Sequence, residues 1–215
     1  MAPSQRTRTI KSDQLDSLLP ALRALCSLLT KSKTKGIVIG GVAASLLGQP
    51  RMTADIDATV LLDEGAIEDF LKQAGTYGLS SRITNPVVFA RRSAMLLLRH
   101  EESRVPVDVA MGRLSFEREA ASKAKFLNVG GISVPLPRPE DLIIMKAIAH
   151  RSQDIEDIRG ILVCQPKLNV ARIRKEVMAL ARALDMPGLW TDIAGMFKKK
   201  AAHKKADRRK STRRR

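Results

Sequence analysis

One stretch limits what this chain can become. From Ile37 it runs Ile-Val-Ile-Gly-Gly-Val-Ala-Ala-Ser-Leu-Leu-Gly, and soon after Arg51-Met52-Thr53-Ala54-Asp55-Ile56-Asp57. Ile37 to Ile39 is a short β-branched run that reads as a buried strand, and Gly40 and Gly41 let the backbone turn sharply behind it. Ala43 to Leu47 then reads as a helix, so its free amides point back toward the glycines, a geometry that suits a phosphate. The chain re-enters a strand over Asp55–Leu62. Alternation puts Asp55 and Asp57 on one face, with Cα atoms about 7 Å apart. Two carboxylates beside an anion-binding turn make a site for a divalent cation that carries a phosphate.

Gly40-Gly41, thirteen intervening residues and then Asp55-x-Asp57 in a hydrophobic strand resembles the signature of the DNA-polymerase-β-like nucleotidyltransferase superfamily. Extended to Arg51-x-Thr53-x-Asp55-x-Asp57, the string is most similar to the small prokaryotic branch that includes the AbiEii-type abortive-infection toxins. A diglycine alone is weak, and so is Asp-x-Asp; together, in strand–turn–helix–strand order, they are specific. The resemblance spans roughly residues 35–160. It implies an α+β nucleotidyltransferase fold, a small mixed sheet flanked by helices, followed by a C-terminal helical bundle. Many relatives carry Gly-Ser where this chain has Gly40-Gly41, which forgoes a hydroxyl contact to phosphate but no metal ligand.

Composition supports a packed domain and a polyanion partner. Of 215 residues 44 % are apolar but only 3 % aromatic, so the core is built from Leu, Ile, Val, Ala and Met. The net charge is +16, and ten of those charges fall in residues 198–215, which hold eleven Lys or Arg against one Asp. Such an excess attracts nucleic acid, or simply solubilises a disordered end. The tail has no interleaved aromatics, so any contact it makes is salt-sensitive and sequence-blind. Cys26 and Cys164 stand alone in apolar helical contexts and read as core thiols in a reducing compartment. No run is long and apolar enough for a membrane helix, and the N-terminus lacks the apolar core of a secretory signal. The expectation is a cytoplasmic protein.

The organisation expected is a disordered arm (1–11), an N-terminal helix plus α/β domain (12–136), a helical domain (137–197) and a disordered basic tail (198–215). Helical spacing of Leu15, Leu18, Leu22, Leu25 and Leu29 predicts a helix to about Thr30. A second runs from Asp63 to about Ala74, turning Ile67, Phe70 and Leu71 inward. Val87–Phe89 and Met95–Leu98 read as strands. So does Arg104–Met111, where Val105, Val107 and Val109 share one face and Asp108 takes the other. Residues 115–125 suggest a short helix, and Phe126–Pro135 a hairpin about Gly130-Gly131. Pro139-Glu140-Asp141 starts a further helix. Helices over 170–184 and 188–200 follow, with Trp190 read as a packing anchor.

An acid opposite a valine face is costly if buried alone. It is either a solvent-facing residue on an edge strand or part of a carboxylate cluster, and the resemblance makes Asp108 the third ligand. Lys146 is the one cation in the run Leu142–Ala149, so it must meet an anion or snorkel to a nearby acid. The resemblance points it at nucleotide phosphates. Arg151, Asp154 and Asp157 resemble the region that closes the family's site, although Asp154 could equally cap the following helix.

What the resemblance implies is a two-metal enzyme. Asp55, Asp57 and Asp108 would hold two Mg²⁺ ions, with Asp108 also helping to deprotonate the acceptor. Gly40, Gly41, Ser45, Arg51, Thr53, Lys146 and Asp154 would hold the NTP, Lys146 and Arg51 meeting the pyrophosphate. The basic body and tail point to RNA, such as a tRNA 3′ end, as acceptor, within a toxin–antitoxin pair that supplies an antitoxin partner. The alternatives are a protein or small-molecule acceptor of the antibiotic type, or an inactive nucleic-acid-binding relative.

Overall fold

The computed structural model describes residues 15–197, a mixed α+β fold divided into two compact units. The arm (1–11), the first residues of the leading helix and the basic tail lie outside the described residues. One unit takes the described chain up to Val42 together with Arg51–Leu136; the other takes Ala43–Pro50 and the described chain from Pro137.

The first unit opens with a turn of 3-10 helix (Asp16–Leu18) and α1 (Leu19–Lys31), which buries Leu22, Leu25, Leu28 and Leu29. Its sheet contains β1 (Gly36–Val38), β2 (Ile56–Val60), β3 (Leu79–Ser81), β4 (Met95–His100) and β5 (Pro106–Met111), in spatial order β1-β2-β5-β4-β3. Only β2 and β5 run parallel; the other three pairs are antiparallel. Burial alternates along β4 and β5, so one face of the sheet is core and the other carries half-buried side chains. Ile56, Leu96, Leu98, Val107 and Val109 line the core face. Helix α2 (Gly40–Leu47) comes directly after β1, beginning at Gly40 rather than at Ala43.

The predicted hairpin is β6 (Lys125–Val129) with β7 (Ile132–Leu136), antiparallel about Gly130-Gly131. Both glycines have positive φ (54° and 78°), as the tight two-residue turn requires. A 3-10 turn (Glu64–Ala66) leads into α3 (Ile67–Thr76), where Ile67 and Phe70 are buried and Leu71 half-buried. Residues 87–89 are a correction: they lie in α4 (Pro86–Ser93), not in a strand. Pro86 at the first helical position presets φ, and Ala94 closes the helix in the left-handed region, so local backbone chemistry overrides the β-branched pair. Strand β3, a short polar piece, was not expected at all. Helix α5 (Ser115–Ser122) is close to expectation.

The second unit is a helical bundle: α6 (Pro139–Ala149), α7 (Ser152–Cys164), α8 (Val170–Ala183) and a helical stretch over 189–197. Trp190 stacks on Phe197, ring centroids 5.4 Å apart, which is the packing role expected of it. The C-terminal part of α2 belongs here. A Cβ on Gly48 would crowd the Ile161 amide at 2.9 Å, and one on Gly160 would crowd the Gln49 amide at 3.1 Å. Two glycines thus let backbone meet backbone, and Gln165 Nε2 donates to the Leu47 carbonyl beside them (2.6 Å).

Candidate active site

Six of the expected residues converge at one end of β1 and β2. Gly40 adopts φ +60°, and a Cβ there would land on Asp57 Oδ2, so the Asp57 carboxylate lies against the glycine backbone. Gly41 abuts Thr53 and Arg51: a Cβ would sit 2.5 Å from Thr53 Oγ1 and 3.1 Å from Arg51 Nη2. Thr53 in turn donates its hydroxyl to Asp55 Oδ1 (2.9 Å). The first-turn amides of α2 therefore emerge amid Asp57, Thr53 and Arg51. That is the juxtaposition the sequence suggested, although Asp55 itself precedes β2 and is exposed rather than lying within the strand.

Asp108 joins them by strand pairing. In the β2–β5 register Asp57 is the partner of Asp108, and paired residues of neighbouring strands project from the same face about 4.8 Å apart. Burial agrees, because the flanking Ile56, Ala58, Val107 and Val109 are buried while both acids are half-buried. Asp108 is thus not an edge-strand acid; β5 lies between β2 and β4.

The row extends further than expected. Ile39 N–H donates to the Asp57 carbonyl (2.8 Å), Leu97 is the partner of Asp108, and Arg82 N–H donates to the Leu97 carbonyl (2.8 Å). Across the sheet the order is therefore Ile39, Asp57, Asp108, Leu97, Arg82, and the Arg82 guanidinium donates to Asp108 Oδ1. One pleat along the same face, Arg99 pairs in register with Pro106 and Ser80. Its Nε is buried without a hydrogen-bond partner among the described residues. Nearby, the Glu101 carboxyl is held below its ordinary value by the Ser80 hydroxyl first, and by the charges of Arg99, Arg104 and His100. Neither Arg82 nor Arg99 was singled out from sequence; β3 is too short and polar to mark either arginine as a neighbour of the acids.

The donor set can be tested against Mg²⁺. Among the described residues no group of three or more His, Cys, Asp or Glu side chains forms a metal cage. Mg²⁺ does not need one, since it is held through one or two carboxylates, waters and substrate phosphates. The paired carboxylates of Asp57 and Asp108 beside amide donors fit that requirement. A cleft of about 330 Å³ in this unit, lined by Cys26, Lys33, Lys35 and Phe126 among others, includes none of these acids.

Ser45, Lys146 and Asp154 belong to the second unit. Lys146 is 4 % exposed and its Nζ stands 2.8 Å from both Asp154 Oδ1 and Asp157 Oδ2. Asp154 also accepts from the backbone N–H of Arg151 (3.2 Å) and from its Nε (2.8 Å), capping α7. Burial pushes the Asp154 carboxyl up, but the Arg151 and Lys146 hydrogen bonds and the Lys146 charge outweigh it and leave the group below its ordinary value. Lys146 is thus paired with Asp154 and Asp157, and Asp154 caps α7. Asp141, fully buried, is likewise held by Arg138 (2.6 Å) and Arg172 (2.6 Å).

Comparison with known proteins bears on this geometry. The sequence finds no match among curated proteins. In structure it is similar to an antigenic nucleotidyltransferase-like protein from Paracoccidioides brasiliensis (18 % identity, TM-score 0.53, 87 % of this chain and 93 % of that one). It is also similar to the antibiotic-resistance factor ANT(2'')-Ia in solution (13 %, 0.54, 82 % and 95 %) and to its crystal structure in complex with adenylyl-2''-tobramycin (14 %, 0.51, 78 % and 98 %). At these identities the likeness is one of fold, that of the DNA-polymerase-β-like nucleotidyltransferases. No described helix is long and apolar enough to cross a membrane. Residues 16–182 match the family described as "Nucleotidyltransferase of unknown function (DUF6036)", and the chain belongs to that family and is a nucleotidyltransferase.

Proposed function

We propose that the chain transfers a nucleoside monophosphate from an NTP to a hydroxyl group of a small molecule. The observation that carries this reading is the Asp57–Asp108 register pair beside the diglycine turn. The likeness to ANT(2'')-Ia, crystallised with an adenylylated tobramycin, supports a small acceptor. Amides of the first turn of α2 at Gly40 and Gly41 would receive phosphate oxygens, with Arg51 neutralising charge on the departing pyrophosphate. Asp57 and Asp108, with Asp55 as a third carboxylate, would hold Mg²⁺, which when bound supplies charge neutralisation and Lewis-acid polarisation of the phosphates. Asp108 would take the proton from the attacking hydroxyl. Lys146 and Asp154 serve the fold of the second unit, and the supply of NTP puts the reaction in the cytoplasm.

A second reading has RNA as acceptor, with the toxin role and the antitoxin partner that the AbiEii resemblance implies. What favours it is the charge of residues 198–215. Incubation with α-labelled NTPs, Mg²⁺ and total cell extract separates the two. Label in a small-molecule product supports the first reading, and label removed by ribonuclease supports the second. Absence of any labelled product, together with absence of Mg²⁺-dependent NTP binding, removes both.

A further inference from the structure

We infer that the acceptor is an anionic molecule, bearing a phosphate or carboxylate close to its reacting hydroxyl, and that Arg82 and Arg99 select it. The inference rests on the reaction proposed above and names its substrate class.

In-line displacement puts the entering and leaving oxygens on opposite sides of the α-phosphorus. The leaving pyrophosphate belongs at the diglycine end, because that is where the amides of α2 and Arg51 lie. Along the row Ile39, Asp57, Asp108, Leu97, Arg82 the acceptor therefore enters from beyond Asp108, over β4 and β3. What it meets there is Leu97, half-buried, then two guanidinium groups: Arg82 at the end of the same row and Arg99 one pleat along.

Arg82 is engaged by Asp108, the carboxylate nearest the acceptor side, with about 30 % of each side chain exposed. Arg99 keeps a buried Nε with no hydrogen-bond partner among the described residues. Glu101, whose carboxyl feels the Arg99 charge, already gives its oxygens to Ser80 and Arg104. A cationic acceptor of the aminoglycoside kind would lie against two like charges here. An anionic one gains planar, charge-assisted hydrogen bonds from groups that suit phosphate and carboxylate.

Cell extract is separated on anion- and cation-exchange resins, and each fraction is assayed for acceptor activity with labelled NTP and Mg²⁺. Acceptor activity retained on the anion exchanger is the expected result. Ribonuclease treatment of that fraction then tells a small metabolite from RNA. Acceptor activity confined to neutral or cation-exchanger-bound fractions, or found in none, overturns the inference, and so does efficient labelling of tobramycin used as a probe. Equilibrium binding of NTP with Mg²⁺ is measured in parallel, because its absence indicts the proposed reaction rather than the acceptor class.

With the active anionic fraction, Arg82→Gln and Arg99→Gln are each expected to raise the acceptor KM by about tenfold or more, with Arg99→Gln leaving the NTP KM unchanged. Arg82→Lys should recover part of that loss. Should Arg82→Gln lower kcat alone with the acceptor KM untouched, Arg82 would only orient Asp108 and the inference would fall.

Discussion

Asp57 and Asp108 are register partners on β2 and β5, the one parallel pair of the sheet, so two acids remote in sequence share a single face. Asp57→Asn and Asp108→Asn should each lower nucleotidyl transfer by at least about a hundredfold, since each removes a carboxylate that would hold Mg²⁺ against the reacting phosphates. The fold should survive, because both positions are on the half-buried face and the hydrophobic partners around them are untouched. Steady-state kinetics and thermal melts check this together. A variant that loses activity only in proportion to lost folded protein would refute it.

Gly40→Ala should damage both stability and activity. The left-handed φ alone costs about 1–2 kcal/mol for an alanine, and the new methyl would displace the Asp57 carboxylate. Gly131→Ala is the matched control: its φ is +78° but nothing lies within 4 Å of the added carbon. That variant should melt earlier while its kcat/KM per folded molecule stays at the wild-type value.

Lys146→Met should destabilise the chain by about 3–5 kcal/mol, by leaving Asp154 and Asp157 buried without their shared cation. Asp154 also gives the pH dependence a sign. Its folded value lies below its ordinary one, so folding favours the ionised form. Its contribution is complete above about pH 4 and vanishes as the pH falls through the lowered folded value. Urea midpoints for wild type and Asp154→Asn should differ at about pH 7, and the difference should shrink as the pH falls below about 4. A gap that persists in acid would contradict the assignment.

Cys26 is 6 % exposed, and burial pushes its thiol up to about 12. Alkylation of the native protein at mildly basic pH should modify Cys164, which is half-buried, and spare Cys26 until denaturant is added. Peptide mass mapping reads the order directly; early labelling of Cys26 would show that α1 opens locally.

Where pattern and backbone chemistry coincide, the fold was legible. The leucine spacing of α1, the Gly130-Gly131 hairpin and the proline start of α6 each carry a local cause that tertiary structure reinforces. The face Asp108 takes was legible because the valines of β5 leave the acid only one other side, while its place beside Asp57 was suggested only by the resemblance. Residues 87–89 misled because a proline at a helix start outweighs two adjacent valines. Arg82 was invisible for a different reason: its contact with Asp108 depends on β3 pairing with β4, a register that no local pattern records. Lys146 could be narrowed to two partners, phosphate or carboxylate, while the meeting of its amine with Asp154 and Asp157 depends on how α6 and α7 pack, which no local pattern records.

The parallel pairing of β2 with β5 also has a temporal side. β3, β4 and the helices between them must be synthesised, and the loop they form closed, before β5 can dock beside β2. Long-range parallel pairing is a slow contact to make, since the entropy of closing the loop precedes any reward. An emerging chain that ends before Asp108 thus owns the diglycine bend and only one half of the acid pair, and the other half arrives with the fifth strand.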